Sequence, residues 1–96
     1  MFYELFGPSI QLLVLDLFIE NPEALMNLRE VARRVHKNPG SVSRVIHRLV
    51  ELGLVTRDKI GKVTHVYSLD TGASLVTALL NFTSELKSLK LNKLSN

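Results

Sequence analysis

A strip of polar side chains in the middle of the chain has the residue types of a surface that reads nucleic acid. Ser41, Arg44 and Arg48 recur at steps of three and four residues, so they share one face of a helix, with Ser43 and His47 beside them. Arginine can donate a pair of hydrogen bonds to O6 and N7 of guanine, and serine can bond to a base edge or a phosphate. This recognition strip could contact base edges in the DNA major groove, although an ordinary solvated helix face has a similar composition.

Basic residues are concentrated around the recognition strip. Between positions 29 and 62 the sequence holds nine Lys and Arg against three Asp and Glu, a net charge of +6, whereas the rest holds three Lys against six acids, a net charge of −3. Such a positive middle is typical of a small domain that binds a polyanion. Solubility and protection of an exposed hairpin edge are the alternative roles. The expected phosphate contacts are Arg29, Arg33, Lys37, Arg57, Lys59 and Lys62.

Two helices and a tight turn are predicted to carry the recognition strip. Asn27, with Glu30 three residues further on, is an N-cap pair of the capping-box kind that opens a helix over 28–35. His36 to Asn38 form the turn, in which Asn38 tolerates the left-handed conformation, and Pro39 suits the first position of a second helix that ends at Gly53. The buried stripe of this second helix is expected to be Val42, Val45, Ile46, Leu49 and Leu52.

A hairpin and two flanking helices complete the expected elements. Leu54–Arg57 and Val63–Leu69 are predicted strands, joined by a turn in which Gly61 can take a positive φ. A first helix over Ser9–Glu20 is apolar on two faces, so one face should meet the core and the other a helix of the same or another chain. A final helix should follow a cap at position 70 or 71 and run to about Leu91, before a polar, frayed tail.

Apolar residues of the final helix recur at alternating steps of four and three, which is the heptad seam of paired helices. The alternative is that this helix only covers its own domain. Because the apolar fraction of 46% is high for 96 residues, we expect a second copy of the chain to cover part of this surface. The predicted dimer interface is Leu75, Leu79, Phe82, Leu86 and Leu89.

Little in the sequence suggests catalysis, a metal ion or a cofactor. There is no Cys, and His36, His47 and His65 fall in three different predicted elements without close acidic ligand spacing. No nucleophile–base constellation or Gly-rich phosphate loop is evident, and neither is a small-molecule effector site. The apolar run near the N-terminus is too short to span a bilayer. We therefore expect a cytoplasmic protein that is not an enzyme and has no membrane partner.

The segment LREVARRVHKNPGSVSRVIHRLVELGLVTRDKIGKVTHVYSL resembles the winged-helix domains of ArsR-like and MarR-like transcriptional regulators, particularly small archaeal and bacterial forms. The motifs that carry the resemblance are LREVARRV, SVSRVIHRLVELGLV and a basic hairpin that closes on VYSL. The resemblance implies a dimer, DNA contact through the face from Ser41 to Arg48, and contact by the hairpin near Lys59–Lys62. The chain lacks the cysteines of ArsR-type metal sensors and is shorter than MarR-type sensors.

The sequence thus predicts an α+β fold, mostly α, with a winged helix-turn-helix DNA-binding domain over residues 1–70 and a C-terminal dimerisation helix over 71–96. The predicted function is sequence-specific binding of double-stranded DNA by a homodimer that regulates transcription. The recognition helix is expected in the major groove, and the basic hairpin is expected on phosphates or in the minor groove. Two other functions are compatible with the same pattern. One is an architectural, chromatin-type DNA-binding protein, and the other is a winged-helix protein-interaction module.

Overall fold

Five helices and one antiparallel hairpin form the part of the chain that the computed structural model describes, which is residues 1–95, with side chains over 1–89. This order confirms the mostly helical α+β winged helix-turn-helix fold. The helices and strands, in chain order, are α1 (Phe2–Phe6), α2 (Ile10–Glu20), α3 (Leu28–Val35), α4 (Pro39–Glu51), β1 (Val55–Ile60), β2 (Thr64–Leu69) and α5 (Ser74–Ser95).

Side-chain caps fix the starts of three helices where the sequence predicts them. Ser9 caps α2 through its Oγ. Oδ1 of Asn27 accepts a hydrogen bond from the N–H of Glu30 at 2.9 Å, and Oδ1 of Asn38 accepts one from the N–H of Gly40 at 2.7 Å. Each cap satisfies a backbone donor that the first turn of a helix leaves unpaired. The positions of α3 and α4 therefore follow from local chemistry.

The turn between α3 and α4 uses a different residue from the one predicted. His36, not Asn38, takes the left-handed conformation, with φ of 56°. Its N–H reaches the carbonyl of Arg33 at 3.3 Å, and the N–H of Lys37 reaches the carbonyl of Ala32 at 3.1 Å. Asn38 is extended because it serves as the N-cap of α4. One residue could not perform both tasks.

The core forms where α2, α3 and α4 pack together. Phe18 of α2 is fully buried. Val42 and Leu49 of α4 are also fully buried, and Ile46 is 1% exposed. Leu52 was expected in this stripe, but it is 45% exposed because α4 ends at the preceding residue and Leu52 is its C-cap. The buried stripe of α4 is therefore one position shorter than its sequence period suggests.

The hairpin, called the wing below, is anchored at its base and by the buried side chain of Val66 in β2. Val55 and Leu69 pair there and are buried. Met26 forms an isolated bridge to Tyr67, with N–O distances of 3.0 and 2.8 Å, which ties the base of the hairpin to the segment before α3. β1 runs three residues further toward the tip than predicted, whereas β2 begins one residue later than predicted, at Thr64. Gly61 has the expected positive φ of 67°.

The last helix packs on its own domain with a different face from the predicted seam. It begins at Ser74, not directly after position 70 or 71, and continues to Ser95 through the stretch expected to fray; Asn96 lies outside the described residues. Val76 is fully buried and Thr83 is 4% exposed. Of the seam residues, Leu79 packs against the core and Leu86 is half-buried; the other three, Leu75, Phe82 and Leu89, are exposed.

Aromatic stacking joins α1 to α5. The ring of Phe2 is buried and stacks on Phe82 with centroids 6.1 Å apart and on Phe6 with centroids 6.0 Å apart. The apolar residues at positions 2–6, whose place the sequence does not specify, therefore extend the apolar surface of α5. Leu5 and Phe6 remain largely exposed at its edge.

A buried carboxylate holds α1 in place. Oδ1 of Asp16 accepts a hydrogen bond from the N–H of Phe2 at 2.7 Å, and Oδ2 accepts one from the N–H of Tyr3 at 2.9 Å and one from the amino group of Met1 at 2.8 Å. Asp16 is 7% exposed. A carboxylate is rarely buried without partners, and these three hydrogen bonds supply them. In the sequence this residue only interrupts an apolar run, and its role becomes evident when α1 packs on α2.

The substitution Asp16→Asn should lower the free energy of unfolding by about 1–3 kcal/mol. The carboxylate offers two acceptor oxygens to its three N–H donors, whereas the amide offers only one. Urea denaturation measures this loss. Asp58→Asn, on the exposed wing, is the matched control and should change stability by no more than about 0.5 kcal/mol. Equal stabilities of the two variants would show that the hydrogen bonds of Asp16 contribute little.

Candidate nucleic-acid interface

The recognition strip lies on the outward face of α4. Ser43, Arg44, His47 and Arg48 are exposed and Ser41 is half-buried, so the structure places the five predicted residues on one surface. The opposite face of the helix is buried in the core, which fixes the direction in which the strip points. The sequence period predicted this division because polar and apolar positions alternate with the helical repeat.

An acidic side chain at the end of α4 contacts two members of the recognition strip. Oε1 of Glu51 lies 2.9 Å from Nε2 of His47, and Oε2 lies 4.0 Å from Nη1 of Arg48. Sequence reasoning missed this contact, although steps of four and three residues place side chains side by side on a helix. The N-terminal part of the strip, at Ser43 and Arg44, has no ion pair among the described residues.

Two of the three arginines of α3 are also held by an acid. Nη2 and Nε of Arg33 lie 2.7 and 3.2 Å from Oε2 of Glu30, and Nε of Arg34 lies 2.7 Å from Oε1. Hydrogen bonds from Arg33 and then Arg34 hold the pKa of Glu30 below its ordinary value of 4.5. The hydrogen bond to Glu30 in turn raises the pKa of Arg33 above its ordinary value. Glu30 was predicted only as a partner of the Asn27 cap.

An open groove lies where α3 meets the start of α4. Its volume is about 550 Å³, and its lining includes all three cations of this region that were expected at phosphates, Arg29, Arg33 and Lys37. Pro39 at the first position of α4 forms another part of the lining. The groove therefore brings the predicted backbone contacts next to the N-terminal end of the recognition strip. Arg34 instead lines a separate cleft of about 300 Å³ between α1, α2 and α3.

The wing presents its basic side chains on one face. Arg57 and Lys59 are two residues apart in β1, so their side chains point to the same side of the hairpin. Their directly paired partners, Tyr67 and His65, point to that side as well. Asp58 pairs with Val66 on the other side, so it does not separate the two cations. Lys62 lies in the exposed turn. The wing and the α4 strip thus form two exposed basic surfaces on the same small domain.

The described part of the chain contains no group of three or more His, Cys, Asp and Glu side chains that could hold a metal ion. None of the helices in that same part is long and apolar enough to cross a membrane.

The comparison with protein families gives one match. Residues 10–59, slightly more than half of the chain, match the IclR helix-turn-helix domain. This segment contains α2, α3, α4 and most of β1. No curated protein is significantly similar to the chain in sequence.

Several solved structures share the fold at low sequence identity. The homodimeric winged helix-turn-helix DNA-binding domain of a possible ArsR-family regulator from Mycobacterium bovis matches with a TM-score of 0.66 at 18% identity, over 94% of this chain and 78% of that one. A possible transcriptional regulator from Methanosarcina mazei Go1 gives 0.65 at 13%, over 99% and 85%. A mutant of ZitR from Lactococcus lactis in complex with DNA gives 0.61 at 19%, over 90% and 57%. These structures confirm the winged helix-turn-helix fold.

The side-chain carboxyl of Glu30 should titrate below 4.5, and Arg33→Ala should return its pKa toward that value more than Arg34→Ala does. The stabilisation that Glu30 gives α3 is complete above pH 4.5 and is lost as the pH falls through its depressed pKa, because only the ionised form accepts both guanidinium groups. Carboxyl carbon chemical shifts followed by NMR measure the titration. Arg29→Ala, on the same helix, is the control; an equal effect of all three changes would mean that general charge, not hydrogen bonding, sets the pKa.

Proposed function

The chain belongs to the family of IclR helix-turn-helix domains, and we propose that it regulates transcription in the cytoplasm by binding specific sequences of duplex DNA as a homodimer. The family and the fold are those of DNA-binding transcription regulators, which are generally not enzymes. The observation that carries the proposal is the exposed N-terminal part of the recognition strip on a helix whose other face is buried.

Base recognition is assigned to α4, which enters the major groove. Arg44 is exposed and has no ion pair among the described residues, so its guanidinium can form paired hydrogen bonds to a guanine. Ser41 and Ser43 lie one turn or less away and can reach a neighbouring base edge or phosphate. His47 and Arg48 contact DNA when they leave Glu51, so the free energy of breaking those contacts reduces their contribution.

The backbone contacts are assigned to both sides of the recognition strip. Arg29 and Lys37 line the groove beside the start of α4, and one strand of the DNA backbone follows this groove. Arg33 joins them when it gives up its hydrogen bonds to Glu30. On the other side, the wing brings its three cations to phosphates: Arg57, Lys59 and Lys62. Such contacts set register and orientation and are independent of sequence.

The homodimer is assigned to the apolar surface that α5 and α1 leave uncovered. Leu75 is 52% exposed, Phe82 is 40% exposed and Leu89 is 64% exposed, and Phe6 continues this surface at 62%. A second copy of the chain related by a twofold axis buries the same residues on both sides. The domain from M. bovis with the same fold is described as homodimeric. Two copies present two α4 helices to two half-sites of DNA.

Arg44→Ala should weaken binding to a site selected from random duplexes by about 1–3 kcal/mol and relax the preference at one base pair. The double change of Arg44 and Arg48 to Ala should weaken it further. Binding isotherms at near-physiological salt, on the selected site and on random duplex, measure both effects.

Arg34→Ala is the matched control for the recognition strip. It removes the same side chain and charge from the cleft on the other side of α3, so specificity should be kept. If the double variant binds the selected site as the unmodified protein does, α4 does not read DNA. A specific-to-random ratio near one for the unmodified protein would indicate an architectural protein, and binding without salt dependence would indicate a protein-interaction module.

Leu89→Glu should convert the homodimer to a monomer without loss of helical content, because the change places a carboxylate in the proposed interface. Sedimentation velocity measures the mass, and circular dichroism measures the fold. Leu25→Glu is the matched control, since Leu25 is 63% exposed on the loop before α3. A dimer that persists in Leu89→Glu would move the interface away from this end of α5.

A further inference from the structure

The recognition strip of α4 continues into a carboxylate. Ser41, Arg44, Arg48 and Glu51 follow one another at steps of three, four and three residues, so Glu51 shares the outward face of the helix. It is the last residue of α4, its side chain is 53% exposed, and it contacts both His47 and Arg48. A surface that attracts a polyanion thus carries a negative charge among its own cations.

The stability of α4 does not account for this carboxylate. The C-terminal end of a helix carries a partial negative charge, which repels an acidic side chain placed there. An ion pair between residues four positions apart is also weaker when the cation comes first, as His47 does before Glu51. Exposed pairs contribute little in any case, because solvent screens them and both side chains lose conformational freedom. The position of Glu51 therefore indicates a role outside the folding of the helix.

We propose that Glu51 is a specificity-determining residue that accepts a hydrogen bond from the N4 amino group of a cytosine in the major groove. This inference rests on the proposed function and deepens it. When His47 and Arg48 turn to their own partners on the DNA, Glu51 loses the basic groups that it contacts in the free protein. A carboxylate without a partner between α4 and the DNA is unfavourable, so tight binding requires a base that donates to it.

Cytosine is the base whose major-groove edge best fits a carboxylate. An ionised carboxylate only accepts hydrogen bonds. Guanine presents two acceptors, thymine presents an acceptor and a methyl group, and the amino group of adenine lies beside the acceptor N7, whereas cytosine presents its amino group alone. Arg48 and Glu51 are about 4.5 Å apart along the helix axis, and base pairs are about 3.4 Å apart. A guanine bound by Arg48 and a cytosine bound by Glu51, on neighbouring base pairs, are therefore the expected pattern.

The same carboxylate disfavours DNA of other sequences. Non-specific affinity comes from cations that neutralise phosphates. On a random duplex, Arg48 either stays near Glu51 and neutralises no phosphate, or leaves it and exposes the carboxylate to the polyanion. Glu51 therefore lowers the affinity for most sequences and spares those that place a cytosine opposite it, which is how a repulsive group increases specificity.

The test compares two single variants on the selected site and on random duplex. Glu51→Ala should raise the affinity for random duplex about threefold and increase its salt slope by about one, because Arg48 becomes free to neutralise a phosphate. On the selected site the lost cytosine contact offsets this gain, so the ratio of specific to random affinity should fall roughly tenfold. Thermal unfolding should show no loss of stability, because Ala favours a helix.

Glu20→Ala is the matched control for Glu51→Ala. Glu20 is the exposed last residue of α2, so the change removes the same charge from the same kind of position and lies off the recognition strip. Its effect on the net charge should act on both DNAs alike and leave the ratio of specific to random affinity unchanged.

A base analogue locates the contact on the DNA. 2-Pyrimidinone lacks the N4 amino group of cytosine and otherwise keeps the shape of the base, and it replaces each cytosine of a half-site in turn. Any weakening of the base pair itself acts equally on both proteins. One replacement should therefore weaken binding by the unmodified protein roughly tenfold more than binding by Glu51→Ala. Glu51→Ala should also lose its preference for cytosine at that base pair when it selects sites from random duplexes.

The inference is overturned if Glu51→Ala keeps the specific-to-random ratio of the unmodified protein, or if no cytosine replacement distinguishes the two proteins. Equal gains on both DNAs would overturn it in favour of general electrostatics, and equal losses with a lower unfolding temperature would overturn it in favour of a structural role. These outcomes leave the proposed function intact. If the unmodified protein itself shows no salt-dependent binding or a ratio near one, the proposed function fails, and the inference fails with it.

Discussion

Burial of one face of α4 against α2 is the interaction on which the rest of the structure depends. Val42, Ile46 and Leu49 are at most 1% exposed, and Phe18 of α2 is fully buried in the same core. Full burial of each such side chain contributes about 1.5–3 kcal/mol, which exceeds what any contact on the exposed surface supplies. Because the inward face of α4 can rotate little, the outward face is fixed as well. The apolar pattern of the helix thus determines where its polar residues point.

The features predicted from sequence are those set by neighbours along the chain. The Asn27 cap acts over three residues, and the stripe of α4 follows from one helical period. The face of α5 that meets the core is different, because α5 has apolar residues around much of its circumference and only its tertiary placement selects Val76. The hydrogen bonds of Asp16 depend on how α1 packs, which no local pattern in the sequence specifies.

The charge of the basic region is less available than the sequence suggests. Glu30 forms ion pairs with two arginines, and Glu51 contacts His47 and Arg48. Two of the three acids between positions 29 and 62 therefore each contact two basic side chains. The cations without an acid partner among the described residues, such as Arg29 and Arg44, lie near the start of α4 and its groove. Electrostatic attraction to DNA is therefore concentrated there and on the wing. The positions of the acids thus reduce the part of the basic region that can attract a polyanion.

The stacking of Phe2 on Phe82 joins positions 2 and 82 of a chain of 96 residues. Contacts among α2, α3 and α4 close short loops and form early in folding, whereas a contact between residues so distant in sequence carries a larger loop-closure entropy. The surface shared by α1 and α5 is therefore completed late. Since the proposed dimer interface lies on this same surface, the proposal couples the last tertiary contact to the association of two chains, and it implies that assembly depends on the concentration of the chain.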